Sequence, residues 1–143
     1  MATADLGQML DEWAVAWSSS ENSDIERVLD LYIDDCVFED VTLSAVLHGK
    51  DELRTFVTDG FAAIPDFTYQ VRSRFATSQW AVIEWTMSGT HRGDFPGMPA
   101  TDKPFSSVRG STILELRSGK ISREADLWNG YAFMKQVGLL PSS

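Results

Sequence analysis

Apolar positions in the first half of the chain recur at three- and four-residue spacing. Leu6, Met9, Leu10, Trp13, Ala14 and Trp17 fall on one stripe of a helix. The polar run SSSENSD, residues 18–24, interrupts that stripe and supplies a cap for a second helix carrying Ile25, Val28, Leu29 and Tyr32. CVFED, residues 36–40, reads as a short buried strand. After HGKDE, the set Leu53, Phe56, Val57, Gly60 and Phe61 predicts a third helix that Pro65 ends. From Asp66 onward the period shortens to two, as in FTYQVRSRFA, WAVIEWTMSGTH, FSSVRGSTILEL and ISREADLWN, with a hairpin turn at RSGK, residues 117–120. Helices followed by an antiparallel sheet make an α+β pattern in one domain, residues 1–143. The one long irregular stretch is residues 91–104, rich in Gly and Pro, of a length that suits a lid or binding loop.

The strand around Trp80, Val82, Ile83 and Trp85 is apolar on both faces. Helices can cover only one of them, so a homodimer formed through the sheet is expected. The formal net charge of −9 argues against binding to nucleic acid or to an anionic membrane surface. Cys36 is the single cysteine, which leaves no intrachain disulfide and makes a cytoplasmic location the expectation. The N-terminal segment has neither a basic leader nor a long uncharged apolar run, so no signal peptide or membrane span is expected.

Asp40 and Asp126 are the candidates for chemistry. Each is an acid beside apolar strand residues, where lost hydration raises a carboxyl pKa and makes it useful in proton transfer. Alternation places Ser122, Glu124, Asp126 and Trp128 on one face, with Ile121, Arg123, Ala125 and Leu127 on the other. Glu84 has the opposite parity to Trp85 and Met87 and is read as facing a dimer partner near Arg109. Candidate walls of a pocket are Trp17, Tyr32, Phe56, Trp85, Met87 and Trp128, although each also suits ordinary core packing. His48 and His91 lack metal-ligand spacing, so no metal is expected. His91 reads as a surface-loop residue, with a pocket mouth as the alternative. No phosphate-binding loop or dinucleotide fingerprint is present, so no cofactor is expected.

VLHGKDELRTF, GTHRGDFPGMPATDKPF and GKISREADLWNGYAFMKQVGLL, together with CVFEDVTL, resemble the SnoaL-like polyketide cyclase and ketosteroid isomerase superfamily, of nuclear transport factor 2-like fold, over Leu6 to Pro141. The resemblance implies a cone-shaped, curved antiparallel or mixed sheet wrapped around the N-terminal helices and enclosing a pocket. It implies an isomerase, cyclase or lyase acting on a small apolar carbonyl compound. In the isomerase match Asp40 falls on the base. Trp13 stands where a hydrogen-bonding Tyr is expected, and Thr112 stands near a protonated Asp. In the cyclase match Asn129 stands at the catalytic acid; asparagine orients a carbonyl but transfers no proton. The last strand also resembles limonene epoxide hydrolases, with Asp126 at a catalytic position and Trp85 and Met87 near its Arg and Asp partners.

Two readings from different classes follow. The first is an enzyme in which Asp40 or Asp126 moves a proton, with Trp13 and Asn129 as hydrogen-bonding helpers. The second is a non-catalytic ligand-binding or dimerisation module. Epoxide hydrolysis is a third.

Overall fold

The computed structural model describes residues 3–141. Helix α1 runs over Thr3–Trp17 and α2 over Ile25–Leu29, followed by β1 (Tyr32–Asp40) and β2 (Ala45–His48). Then come α3 (Gly49–Ala63), β3 (Thr68–Ala76), β4 (Trp80–Thr90), β5 (Pro104–Arg117), β6 (Lys120–Trp128) and α4 (Gly130–Gln136). Among the described residues no helix is long and apolar enough to cross a membrane.

The predicted stripe of α1 is buried along its length, from Leu6 through Leu10, Trp13 and Ala14 to Trp17. Ser18 closes the helix: its hydroxyl donates to the Ala14 carbonyl at 2.7 Å and accepts from the Tyr69 N–H at 3.0 Å, tying α1 to β3. Asp24 caps α2 by accepting from the Glu26 N–H. The second helix is shorter than its spacing predicts. It stops at Leu29, and Tyr32 opens β1 instead. The short strand β2 is a further departure; four residues with only alternate positions half-buried leave little signal in the sequence.

The six strands form one sheet in the order β2-β1-β6-β5-β4-β3. Only β1 and β6 run parallel, so the sheet is mixed. Register shifts interrupt the β1–β6, β3–β4, β4–β5 and β5–β6 ladders, and such bulges bend strands and strengthen their twist. The sheet thereby curves around α1 and α3, which pack on β3 and β1 respectively. One bulge corrects the alternation predicted for the last strand. Ser122 is the extra residue, so Ile121 turns inward beside Leu116, while Glu124 and Asp126 remain on the inner face.

Strand β4 has the two apolar faces expected of it. Ala81, Ile83, Trp85 and Met87 are buried, whereas Trp80 and Val82 lie on the outer face with Phe75 beside Val82. Glu84 is also on that outer face, accepting from Ser73 at 3.0 Å and lying 3.5 Å from Arg109.

Gly110 fixes the interior of the sheet's centre. It is the register partner of Trp85 on one side and of Trp128 on the other. A Cβ there would sit 2.6 Å from Trp85 Cζ3 and 2.8 Å from Trp128 Cβ. The absent side chain lets the Trp85 indole cross β5. Gly110→Ala is therefore expected to destabilise the fold by about 1–3 kcal/mol through overpacking, measured by urea denaturation; an unchanged midpoint would show that the indole can move aside at no cost.

Candidate functional site

The two predicted acids come together because β1 and β6 are neighbours. Asp40, the last residue of β1, is the register partner of Asp126 on β6, and Thr112 on β5 is the partner of Asp126 on the other side. Asp40 is 6% exposed and Asp126 5%. Both line a cavity of about 120 Å³ whose wall is otherwise almost wholly apolar. Trp17, Phe56, Trp85, Met87 and Trp128 line it, joined by Tyr69 and Phe133. Phe95 and Met98, from the Gly/Pro loop, complete the wall. That loop is held as a tight excursion: Phe95 and Met98 exchange backbone hydrogen bonds, and the Phe95 ring lies 5.7 Å from Phe56.

Each acid is held by an indole or by a hydroxyl that an indole supports. The Trp128 indole N–H donates to both Asp40 oxygens at 3.1 Å, and the Leu43 N–H donates to Oδ1 at 2.9 Å. Burial raises the Asp40 pKa, and these donors hold the rise in check. Asp126 Oδ1 accepts from the Thr112 hydroxyl at 2.7 Å, and Thr112 accepts from the Trp85 indole N–H at 2.9 Å.

Behind Asp126 stands Glu124, two residues earlier on the same face and wholly buried. Its Oε1 accepts from Tyr32 OH at 2.6 Å and from the Trp13 indole at 3.1 Å; Tyr32 in turn accepts from the Trp17 indole at 2.9 Å. Glu124 Oε2 has no hydrogen-bond partner among the described residues, and the neighbouring carboxyl of Asp126 interacts with it electrostatically. Burial raises both pKa values. For Asp126 the charge and the carboxyl of neighbouring Glu124 add to desolvation, so its carboxyl stays protonated well above the usual carboxylate range. For Glu124 burial is the largest cause, and the contacts with Asp126, Tyr32 and Trp13 offset part of the rise.

One expected wall residue, Tyr32, and the two expected hydrogen-bonding helpers, Trp13 and Asn129, are corrected: they lie away from the cavity lining. Trp13 and Tyr32 do not line the cavity; they lie a layer behind it, where their polar hydrogens are committed to Glu124. Asn129 lies outside as well. Its side chain accepts from the Ala132 N–H and caps α4, at an outer groove shared with Glu84 and Arg109. Trp85 and Met87, where the hydrolase resemblance expects an Arg and an Asp, place an indole and a thioether on the wall. Glu124 is the buried acid that the sequence reading does not single out, although its parity with Asp126 is legible. His91 is corrected too: it is 1% exposed and lines the cavity. Among the described residues no group of three or more His, Cys, Asp or Glu is arranged to hold a metal ion.

The buried proton has a thermodynamic consequence. Asp126 has a folded pKa above its unfolded value, so the folded state binds the proton more tightly. The stability it contributes is complete below about pH 4, the unfolded range, and is lost as pH rises through the folded pKa. Asp126→Asn keeps an oxygen for Thr112 and removes the titration. Its stability relative to the parent is expected to climb from pH 4 to 8, by up to about 1.4 kcal/mol per pH unit inside the window. Parallel urea-denaturation curves across that range would exclude a raised Asp126 pKa.

Comparison with known proteins agrees with this architecture. A protein of ketosteroid isomerase-like fold from Catenulispora acidiphila, solved in complex with trimethylamine, superposes with a TM-score of 0.79 at 20% identity, covering 94% of each chain. TsrD from Streptomyces laurentii superposes with a TM-score of 0.83 at 19% identity, covering 98% of this chain and 99% of its own. IdmH, a candidate polyketide cyclase from Streptomyces antibioticus, gives 0.74 at 21% identity, covering 93% and 98% respectively. At these identities the likeness carries the fold alone. No curated protein matches the chain. The family model for the SnoaL-like polyketide cyclases matches residues 7–137, and the chain belongs to that family.

Proposed function

We propose that this protein is an enzyme that moves a proton on a small, mostly apolar carbonyl compound held in the central cavity. One observation carries the reading: Asp40 and Asp126, register partners on adjacent strands, both line one aromatic-walled cavity in environments that push their protonation states apart. Asp40, given donors by Trp128 and Leu43, serves as the base; Asp126, neutral and backed by Glu124, serves as the donor.

Asp40 removes the proton next to the carbonyl, and the freed electron pair moves onto the carbonyl oxygen. The Asp126 carboxyl donates to that oxygen as charge develops. Return of the proton from Asp40 to another carbon completes an isomerisation. Attack of the enol carbon on a second carbonyl of the same molecule completes a ring closure: the new alkoxide takes the proton that Asp40 removed, and the first carbonyl re-forms as its oxygen returns its proton to Asp126. Holding base and ketone together in a dry site supplies about 7–11 kcal/mol of barrier lowering, enough for one carboxylate to be effective.

A ligand-binding module without turnover is the second reading. It is favoured by the internal commitment of Trp13, Tyr32 and Trp85, which leaves those donors no role towards a ligand. Deuterium incorporation next to the carbonyl of 2-tetralone in D2O separates the two. The parent protein is expected to accelerate exchange, and Asp40→Asn to lose about 10²–10⁴-fold of that rate. Binding of the ketone with no acceleration would support the module. The rate should fall at low pH as Asp40 is protonated and at high pH as Asp126 ionises, giving a bell whose limbs belong to the coupled acids jointly. A flat profile would remove the acid–base assignment.

The reading also includes a homodimer through the sheet, supported by exposed Phe75, Trp80, Val82 and Leu127 on the face away from the helices. Sedimentation should show a dimer in the parent and a monomer in the Phe75→Asp/Trp80→Glu double variant; equal masses would dismiss the sheet contact.

A further inference from the structure

One polar side chain on the cavity wall lies apart from the acids and has no partner. His91 directly follows β4 and is 1% exposed. Both its ring nitrogens are buried without a hydrogen-bond partner among the described residues. Its position is fixed by the backbone: its N–H donates to Lys103 O at 3.0 Å, and its carbonyl accepts from the Asp102 N–H at 2.8 Å. The imidazole packs 5.9 Å from the Phe133 ring, and Phe133 packs 5.6 Å from Trp128, the indole that holds Asp40. A chain of contacts from His91 through Phe133 and Trp128 to Asp40 thus runs along one wall of the cavity.

A buried imidazole left without partners is costly, and such groups in native proteins call for an explanation. The cavity itself offers one. Neutral imidazole carries one donor and one acceptor, which suits a hydroxyl and, through its N–H, a carbonyl. The lining contains no Lys or Arg and includes two carboxyl groups, so it disfavours an anionic ligand end.

We propose that His91 is a second anchor of this cavity, hydrogen-bonding a neutral hydroxyl or carbonyl oxygen of the ligand remote from the oxygen at Asp126. The pocket then selects compounds carrying two separated oxygens over a lone ketone or phenol. The inference rests on the cavity being the ligand site, as proposed above, but not on proton transfer within it.

Calorimetric titration with 2-naphthol and with 2,6- and 2,7-dihydroxynaphthalene tests it without turnover. The parent protein is expected to bind at least one dihydroxy compound about tenfold or more tightly than 2-naphthol, because a site built for a hydroxyl penalises the analogue lacking it. His91→Phe should bind all three alike while retaining its affinity for 2-naphthol, and its melting temperature should not fall, since no hydrogen bond is lost. Should His91→Phe not fold, His91→Ala serves for the same comparison. A preference that survives in either variant, or none in the parent, overturns the anchor while leaving the cavity reading intact. Failure of the parent to bind any of the three removes the cavity reading and the anchor with it.

Discussion

Taking a carboxylate out of water costs several kcal/mol unless it is neutralised or supplied with donors, and this fold places three of them on the inner face of two adjacent strands. The surrounding arrangement meets that demand. Four of the five tryptophans direct their indole N–H towards an acid, either immediately or through one intervening hydroxyl: Trp128 to Asp40, Trp13 to Glu124, Trp17 through Tyr32 to Glu124, and Trp85 through Thr112 to Asp126. Tryptophan suits this setting, since each ring fills apolar volume while its one polar hydrogen satisfies an acceptor.

The same constraint explains the division of labour among the acids. Glu124 is withdrawn from the cavity and receives Tyr32 and Trp13, which offset part of the rise that burial causes. Asp126 adjoins Glu124, accepts from Thr112 alone and is pushed further towards its protonated form. Asp40 has donors of its own and a smaller desolvation burden, which leaves it closest to an ordinary carboxylate. Two cavity-facing acids in unlike states follow from burial and neighbours rather than from any difference in side-chain chemistry.

Glycine and bulges set the space in which these groups meet. Gly110 admits the Trp85 ring across β5, which brings its N–H to Thr112. The Ser122 bulge reverses parity along β6, so that Ile121 is in the core without displacing Glu124 and Asp126 from the inner face. The loop after β4 closes the wall with Phe95 and Met98.

The linear chain by itself determined the succession of elements: the α1 stripe from Leu6 to Trp17, the period of two after Asp66, and the two faces of β4. Those are local periodicities that any neighbour of the same hydrophobicity would satisfy. It also marked Asp40 and Asp126, since an acid among apolar residues is visible without coordinates. Tertiary structure decided what periodicity cannot encode. That Tyr32 begins a strand depends on pairing with β6, and its service to Glu124 depends on a contact spanning most of the chain. Asn129 became a helix cap because α4 starts there. His91 became a buried wall residue because loop and helix close over it. The parallel pairing of β1 with β6 finally set two distant aspartates side by side, because register between strands is fixed by long-range packing.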